Sequence, residues 1–486
     1  MTMPLIISNP IFILFVGVCI VVGGIIGLKL HPFLALLLGA FVVALMTPGS
    51  ALEQFALSKG ATPAAALKAS KLTIGERIAL EFGNTAGKIG ILIAMAAIIG
   101  KCLLESGGAE RIIRSMLNAV GIKKAPVAFL ASSFFIGIPV FFDTVIFLMM
   151  PLAKAMSMRI GKNYLLLVLS IIAGAVMANS LVPPAPGPLF LVGAMQIPIG
   201  LMMVAGTLLG LMTAASGYLF AVWANRKWTV PVRDSLDARL EDIKLNSSKE
   251  DAQLPSLWFS LLPVLIPLVF ICADTFLNLS APAPGESRSF FMVQFVKFVH
   301  FLGDKNIALL TGGLVALLLL ANQKKGTKYD MTNFVQAALM SGGGIILITA
   351  AGGAFGGMLQ QTGISSQIAE MTKHYQMALI PLAFLIAAVV RTAQGSATVA
   401  LITASGILSG MANNGHLQYH HLYIGLAIGC GAKLMPWMND AGFWIVCKMS
   451  NLTEKEAMKT FAPMNVVMGV TGLIIILIAA KLIPLL

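Results

Sequence analysis

Long apolar stretches alternate with short polar segments along the whole chain, and this alternation is the main structural signal in the sequence. A helix needs about 20 mostly apolar residues to cross the core of a bilayer. The pattern therefore predicts ten membrane-spanning helices. Their approximate limits are residues 5–28, 32–47, 86–104, 164–192, 198–224, 255–276, 306–321, 341–359, 422–446 and 461–485.

Segments of other kinds connect these spans. Residues 47–86 and 327–340 mix charges with alanine and leucine, which predicts helices lying at the membrane interface. Residues 225–254 carry six basic and six acidic side chains and predict a polar cytoplasmic linker. Residues 278–305 are poor in Lys and Arg and predict a loop on the outer side.

Residues 125–150 form an apolar stretch that does not fit an ordinary helix. Gly137 and Pro139 interrupt its middle, and Asp143 adds a carboxylate that costs roughly 3 kcal/mol at membrane depth. Lysines flank both ends, which places both ends on the cytoplasmic side. A single crossing would separate the ends. The stretch therefore predicts a re-entrant hairpin whose broken middle lines a cavity.

The second half of the chain repeats the order of elements of the first half at an offset of about 255 residues. A second broken apolar stretch, residues 377–410, corresponds to the first hairpin. Each half then holds five spans and one hairpin, and an odd number of spans inverts the second half relative to the first. The predicted fold is an all-α polytopic membrane protein with an inverted repeat. Its parts are residues 1–224, the linker 225–254, and residues 255–486.

Composition supports a membrane protein and argues against other classes. Hydrophobic residues make up 58% of the chain and charged residues only 11%, against about 25% in soluble domains. The net charge of +13 comes mostly from short loops, so it indicates contact with anionic membrane lipids and not with nucleic acid. The five cysteines and six histidines show no metal-ligand spacing, and no cofactor is expected.

Four breaks interrupt the apolar stretches, at residues 136–144, 178–189, 391–398 and 436–443. In transporters with inverted repeats, such breaks expose helix ends near the middle of the membrane. Helix N-termini there present free N–H groups and the positive end of the helix dipole. The breaks therefore predict a binding site for a small anion.

The polar side chains in and near the breaks are candidates for chemistry. Asp143 and Asp440 are the only acids in the breaks and fit proton uptake and release, with capping or ion pairing as the alternative for both. Arg391 either binds a substrate carboxylate or holds its own hairpin. Lys433 is either a counter-ion to one of the acids or a substrate contact. Groups suited to a polyhydroxy ligand are those of Thr144, Asn179, Ser180, Ser396 and Thr398.

The motifs GIPVFFDT, LVPPAPGPL, QGSATVALIT and NDAGFW resemble, in the same order, the signature stretches of the gluconate permease family of bacterial sugar-acid:proton symporters. The resemblance covers about residues 87–472. It implies a secondary transporter of the bacterial inner membrane that forms homodimers and moves a transport domain like an elevator. It adds further residues to those expected to line the site, namely Pro184, Gly187, Gly395 and Asn439. It also implies a histidine at two positions, where this chain has Ala185 and Trp437.

Taken together, these features predict a symporter that imports gluconate or a related hydroxy-carboxylate with protons, by alternating access. A sodium-coupled carboxylate transporter is the alternative within the same class, and a channel is a further one. A membrane-embedded enzyme would need clustered acids or metal ligands at one interface, whereas the acids here are isolated. The chain is therefore not expected to be an enzyme.

Overall fold

The structure is a computed structural model that describes residues 9–58, 60–121, 124–233, 254–279, 290–325, 329–364, 367, 376–412, 417–437 and 440–485. Within these ranges there are twenty α-helices and no strand. The first eleven helices are α1 (Pro10–Ile26), α2 (Pro32–Met46), α3 (Gly49–Ser58), α4 (Pro63–Ser70), α5 (Ile74–Glu105), α6 (Gly108–Val120), α7 (Ala125–Gly137), α8 (Phe142–Ile160), α9 (Tyr164–Leu181), α10 (Pro186–Ala194) and α11 (Ile199–Lys227). The other nine are α12 (Leu257–Leu279), α13 (Phe290–Gly303), α14 (Lys305–Gln323), α15 (Met331–Gln361), α16 (Leu379–Gln394), α17 (Ala397–Ala412), α18 (Leu422–Gly431), α19 (Ala441–Ser450) and α20 (Glu454–Leu482).

Seven helical segments of the described chain are long and apolar enough to cross a membrane, or eight if α2 and α3 count as one bent span. They are α5, the pair α9 and α10, α11, α12, α14, α15 and α20, and each overlaps one of the ten predicted spans. The other predicted spans correspond to α1, to α2 and to the broken pair α18 and α19, which are shorter. The prediction of an all-α polytopic membrane protein is confirmed at this level.

Two segments predicted to lie at the interface differ from that prediction. The last part of residues 47–86 belongs to α5, which begins at Ile74 and continues without interruption to Glu105. A capping box sets this start, because Thr73 accepts from the Glu76 N–H and Glu76 accepts from the Thr73 N–H. Most of residues 327–340 likewise belongs to α15. Only α3 and α4 remain separate short helices.

The predicted loop and linker have different outcomes. Residues 278–305 were predicted as a loop, which is wrong for 290–303, because these residues form α13. Most of the predicted linker, residues 234–253, lies outside the described residues. Just before it, Arg233 donates to both carboxylate oxygens of Glu456 at 2.7 and 2.8 Å. This pair fastens the end of the first half to the first turn of α20.

Both predicted hairpins consist of two helices joined by a short break. In the first, α7 ends at Gly137 and α8 begins at Phe142; in the second, α16 ends at Gln394 and α17 begins at Ala397. The starts of α8 and α17 keep the offset of about 255 residues seen in the sequence. The second limb of each hairpin packs against the other half of the chain, α8 against α19 and α17 against α10. Because each second limb packs against a helix next to a break in the other half, the four breaks lie close together.

Helix α15 packs closely against both α5 and α17. A Cβ atom at Gly353 would lie 2.0 Å from Oγ1 of Thr85, and one at Gly357 would lie 2.7 Å from Cγ of Glu81. On its other side, Gly356 faces Gly406 of α17. The glycines therefore let α15 hold the second hairpin close to α5.

Candidate substrate-binding cavity

A cavity of about 350 Å³ lies where the hairpin breaks meet the broken segments of α9–α10 and α18–α19. This volume is within the usual range of small-molecule sites, about 300 to 1,000 Å³. Eight of the thirteen residues expected at the site line the cavity. They are Asp143, Asn179, Arg391, Gly395, Ser396, Thr398, Lys433 and Asp440.

Three helix N-termini border this cavity. The first turns of α8, α17 and α19 contribute Asp143, Thr398 and Gly442 to its wall. Backbone N–H groups in a first helical turn lack intrahelical partners and carry the positive end of the helix dipole. The arrangement is therefore electrostatically suited to an anion.

Arg391 and Asp440 form a buried ion pair in the wall of the cavity. Nη2 of Arg391 donates to Oδ2 of Asp440, and the two side chains are 6% and 10% exposed. Asp440 also caps α19, because its Oδ1 accepts from the Gly442 N–H at 2.8 Å. Within the described chain, Nε and Nη1 of Arg391 are buried and have no hydrogen-bond partner. These two nitrogens therefore carry donors without an acceptor in the wall of the cavity.

Lys433 and Asp143 provide the other two charges of the cavity. Lys433 is 6% exposed and makes no salt bridge to a described acid, since Asp440 pairs with Arg391 instead. Asp143 is exposed in the first turn of α8 and has no ion pair or hydrogen bond with a described side chain. Lys433 and Asp143 thus line the same cavity, each without an ion pair to a described side chain.

The tip of the second hairpin supplies backbone geometry as well as hydroxyl groups. Gly395 ends α16 with φ +84°, a left-handed conformation that a side chain would strain, and its N–H donates to the Arg391 carbonyl at 2.8 Å. Ser396 follows, and its Oγ accepts from the Val399 N–H at 3.4 Å. The tip thus places Arg391 and Ser396 on the same wall.

Five residues expected at the site are not among those that line the cavity. Thr144 is half-buried one position beyond Asp143. Ser180 is buried and donates to the Val176 carbonyl at 3.0 Å, the backbone contact common for serines in helices. Pro184 is buried and follows a cis peptide bond, and a Cβ at Gly187 would lie 2.4 Å from the Leu401 side chain. Asn439 lies outside the described residues.

The two positions where the family resemblance implies histidine are also not among the residues that line the cavity. Ala185 is 2% exposed and precedes the first turn of α10. Trp437 is 42% exposed, and its indole N–H donates to the Thr392 carbonyl at 2.7 Å. Trp437 therefore fastens the broken segment before α19 to the second hairpin.

Several lining residues come from unbroken helices, which the sequence pattern did not single out. Phe461 and Asn465 lie on α20, and Ile345 lies on α15. Asn465 is 1% exposed within a mostly apolar span, so an isolated amide in an apolar stretch was the signal that could have identified it. No group of three or more His, Cys, Asp or Glu side chains suited to a metal ion occurs in the described ranges.

The fold and this cavity define a polytopic membrane transporter. Residues 9–483 match the GntP family permeases, and the chain belongs to that family. The gluconate permease of Pseudomonas aeruginosa is 30% identical over 475 residues, 97% of this chain and 98% of that protein. The inner membrane permease YgbN of Escherichia coli is 28% identical over 470 residues, 94% of this chain and 97% of that protein. These relatives confirm a permease of the inner membrane and not an enzyme.

The fold is also similar to a solved structure. The YdaH transporter of Alcanivorax borkumensis superimposes with a TM-score of 0.57 at 13% identity, covering 83% of this chain and 88% of that protein. At this identity the similarity concerns the fold alone.

Proposed function

We propose that this permease is a proton-coupled symporter that imports gluconate or a closely related sugar acid by alternating access. The observation that carries the proposal is the cavity itself, whose lining includes both buried Arg391, with two nitrogens that have no described partner, and the exposed carboxylate of Asp143. The naming of a 30% identical relative as a gluconate permease supports the substrate class.

The charges of the cavity explain why an anion would enter together with a proton. Two basic side chains, Arg391 and Lys433, and two acidic side chains, Asp143 and Asp440, line it, so their formal charges cancel when all are ionised. A substrate carboxylate would then leave one uncompensated negative charge in a poorly solvated site, which is unfavourable. Protonation of Asp143 removes that charge. The balance favours one proton for each monocarboxylate.

Each polar group has a role in this proposal. Arg391 and Lys433 bind the carboxylate, and Asp440 holds Arg391 in place through the buried ion pair. Asp143 carries the proton, because it is the acid without a described partner. Asn179, Ser396 and Thr398 bind substrate hydroxyls. The positive charge of Lys433 is also one of the four charges whose sum the proton on Asp143 changes.

The same proposal includes the architecture that would move the site. The order of helices, the shared offset of the hairpins and the exchange of α8 and α17 between halves support an inverted repeat. Alternating access in such repeats moves one group of helices against another around a fixed site. The proposal also includes a homodimer and an elevator motion of the transport domain, both of which the family resemblance implies.

The test uses purified protein in lipid vesicles with an imposed inward proton gradient and the membrane potential clamped at zero. We expect wild type to accumulate labelled gluconate above equilibrium, because the charge balance makes transport electroneutral. Asp143→Asn should abolish uphill accumulation while gluconate still binds. Glu53→Gln, the same acid-to-amide change on α3 and outside the cavity lining, is the matched control. Unchanged accumulation by Asp143→Asn would remove Asp143 from proton coupling.

The sodium-coupled alternative gives a different result in the same vesicles. A sodium ion beside Asp143 would also balance the substrate charge. Replacing sodium by choline at fixed pH would then stop uptake, whereas a proton-coupled symporter continues. Flux that never exceeds equilibrium under either gradient would indicate a channel.

A further inference from the structure

Two polar residues of the cavity, Lys433 and Asn465, lie outside all four breaks. Asn465 is in the middle of α20, among apolar residues, and is 1% exposed. A buried amide is costly unless its polar atoms have partners. Its presence on the cavity wall therefore needs an explanation that packing does not give.

Half of this amide is already satisfied within the helix. Nδ2 donates to the Phe461 carbonyl, one turn earlier, at 2.9 Å. Because a carbonyl oxygen only accepts, the amino end of the amide must face it, which fixes the orientation of the side chain. The carboxamide oxygen is then the free end, and no described residue donates to it.

An unpaired acceptor selects its ligand by chemistry. It binds a hydroxyl, which donates a hydrogen bond, and disfavours a carboxylate, which only accepts. The cationic groups Arg391 and Lys433 have the opposite preference. The cavity thus combines donors for a carboxylate with an acceptor for a hydroxyl.

From these contacts we infer that Asn465 determines specificity for the hydroxylated chain of the substrate. This inference rests on the proposed function and deepens it. The ligand is oriented with its carboxylate toward Arg391 and Lys433 and a chain hydroxyl toward Asn465. The Phe461 ring, on the same face of α20, provides an apolar surface for the C–H groups between them.

The experiment measures the dissociation constants of gluconate and lactate by competition against labelled gluconate. Both acids carry one carboxylate, but lactate lacks the chain hydroxyls beyond its second carbon. Asn465→Leu keeps the size of the side chain and removes the acceptor. We expect its dissociation constant for gluconate to rise about 10- to 100-fold, with that for lactate nearly unchanged. Leaving a substrate hydroxyl unpaired in a buried site accounts for this loss.

A second variant and a control keep the result decisive. Asn465→Asp keeps an acceptor oxygen but loses the amino group that donates to the Phe461 carbonyl. Its added negative charge should weaken the binding of both acids by a similar factor. Thr460→Val removes a buried hydroxyl of the same helix that bonds the Glu456 carbonyl and does not line the cavity, and its selectivity should equal that of wild type.

The outcomes separate this inference from the proposed function. If wild type binds neither acid, the proposed function fails. If wild type prefers gluconate and Asn465→Leu keeps the same ratio of dissociation constants, Asn465 does not read a hydroxyl and the inference is overturned. A ratio that falls in Asn465→Asp would overturn it as well.

Discussion

Arg391 and Asp440 come from different broken segments, and their pairing explains how a charged site is held together inside apolar surroundings. A buried ion pair adds little net stability, but removal of one partner leaves the other charge uncompensated. Asp440 also caps α19, so its carboxylate serves two structural contacts at once. These contacts separate its role from that of Asp143, whose carboxylate has no described partner.

We therefore expect Asp440→Ala to destabilise the protein by about 3–5 kcal/mol, because it leaves Arg391 buried and unpaired. The double variant Arg391→Met with Asp440→Leu should recover most of that stability, since apolar residues of similar size can replace a buried pair. Denaturation in detergent monitored by tryptophan fluorescence measures both effects.

Measuring gluconate binding by the same variants separates the effect of the ion pair on stability from the effect of Arg391 on substrate binding. The double variant should bind gluconate at least tenfold more weakly than wild type although it is stable, because the carboxylate donors are gone. Full stability with undiminished gluconate binding in the double variant would show that Arg391 only supports the hairpin.

Most charged residues of the site were predictable from the sequence, whereas the part of the cavity wall that α20 forms was not. Asp143, Arg391 and Asp440 stand out because glycine, proline and charge interrupt apolar stretches there. Phe461 and Asn465 lie on one continuous helix, and only the packing of α20 in the fold brings them to the cavity. The local sequence pattern indicates where a helix is broken, but it does not indicate which other helix packs against the break.

At the scale of the element, α15 is the helix on which the second hairpin and α5 both rest. Its start was predicted too late, because charged and polar residues before residue 341 were read as interfacial. Asp330 caps the helix by accepting from the Asn333 N–H at 3.0 Å, so the helix begins about ten residues earlier. Because of capping and helix propensity, both α5 and α15 begin before the apolar stretches from which the spans were predicted.

The close packing of α15 predicts opposite effects at two of its glycines. Gly353→Ala would place a Cβ 2.0 Å from Thr85 Oγ1, and we expect a loss of about 1–3 kcal/mol from overpacking. Gly343→Ala, where no atom lies within 4 Å, should gain about 0.5–1 kcal/mol from higher helix propensity. Thermal unfolding of both variants in the same detergent compares them directly. A Gly353→Ala protein as stable as Gly343→Ala would contradict the close contact of α5 and α15.

At the scale of the whole molecule, corresponding helices of the two halves make corresponding contacts. Helix α7 packs on α9 as α16 packs on α18, and α11 packs on α9 as α20 packs on α18. If the halves are inverted, the two hairpins enter the membrane from opposite sides and their tips meet near its middle. The orientation of the hairpins is therefore the property on which the proposed site depends.

Labelling of single cysteines tests this orientation in a variant whose five native cysteines are replaced. Exposed positions flank both hairpins, namely Lys124, Lys162, Ala378 and Gln418. We expect cysteines at 124 and 162 to react with a membrane-impermeant maleimide from the cytoplasmic side only. Cysteines at 378 and 418 should react from the outer side only, because the second half is inverted.

Two results would contradict this arrangement in different ways. If 124 and 162 label from opposite sides, α7 and α8 cross the membrane and do not form a re-entrant hairpin. If all four positions label from one side, both hairpins enter from that side and the halves are parallel. In either case the cavity would not lie between two hairpins that enter from opposite sides, and the inverted repeat would no longer support alternating access.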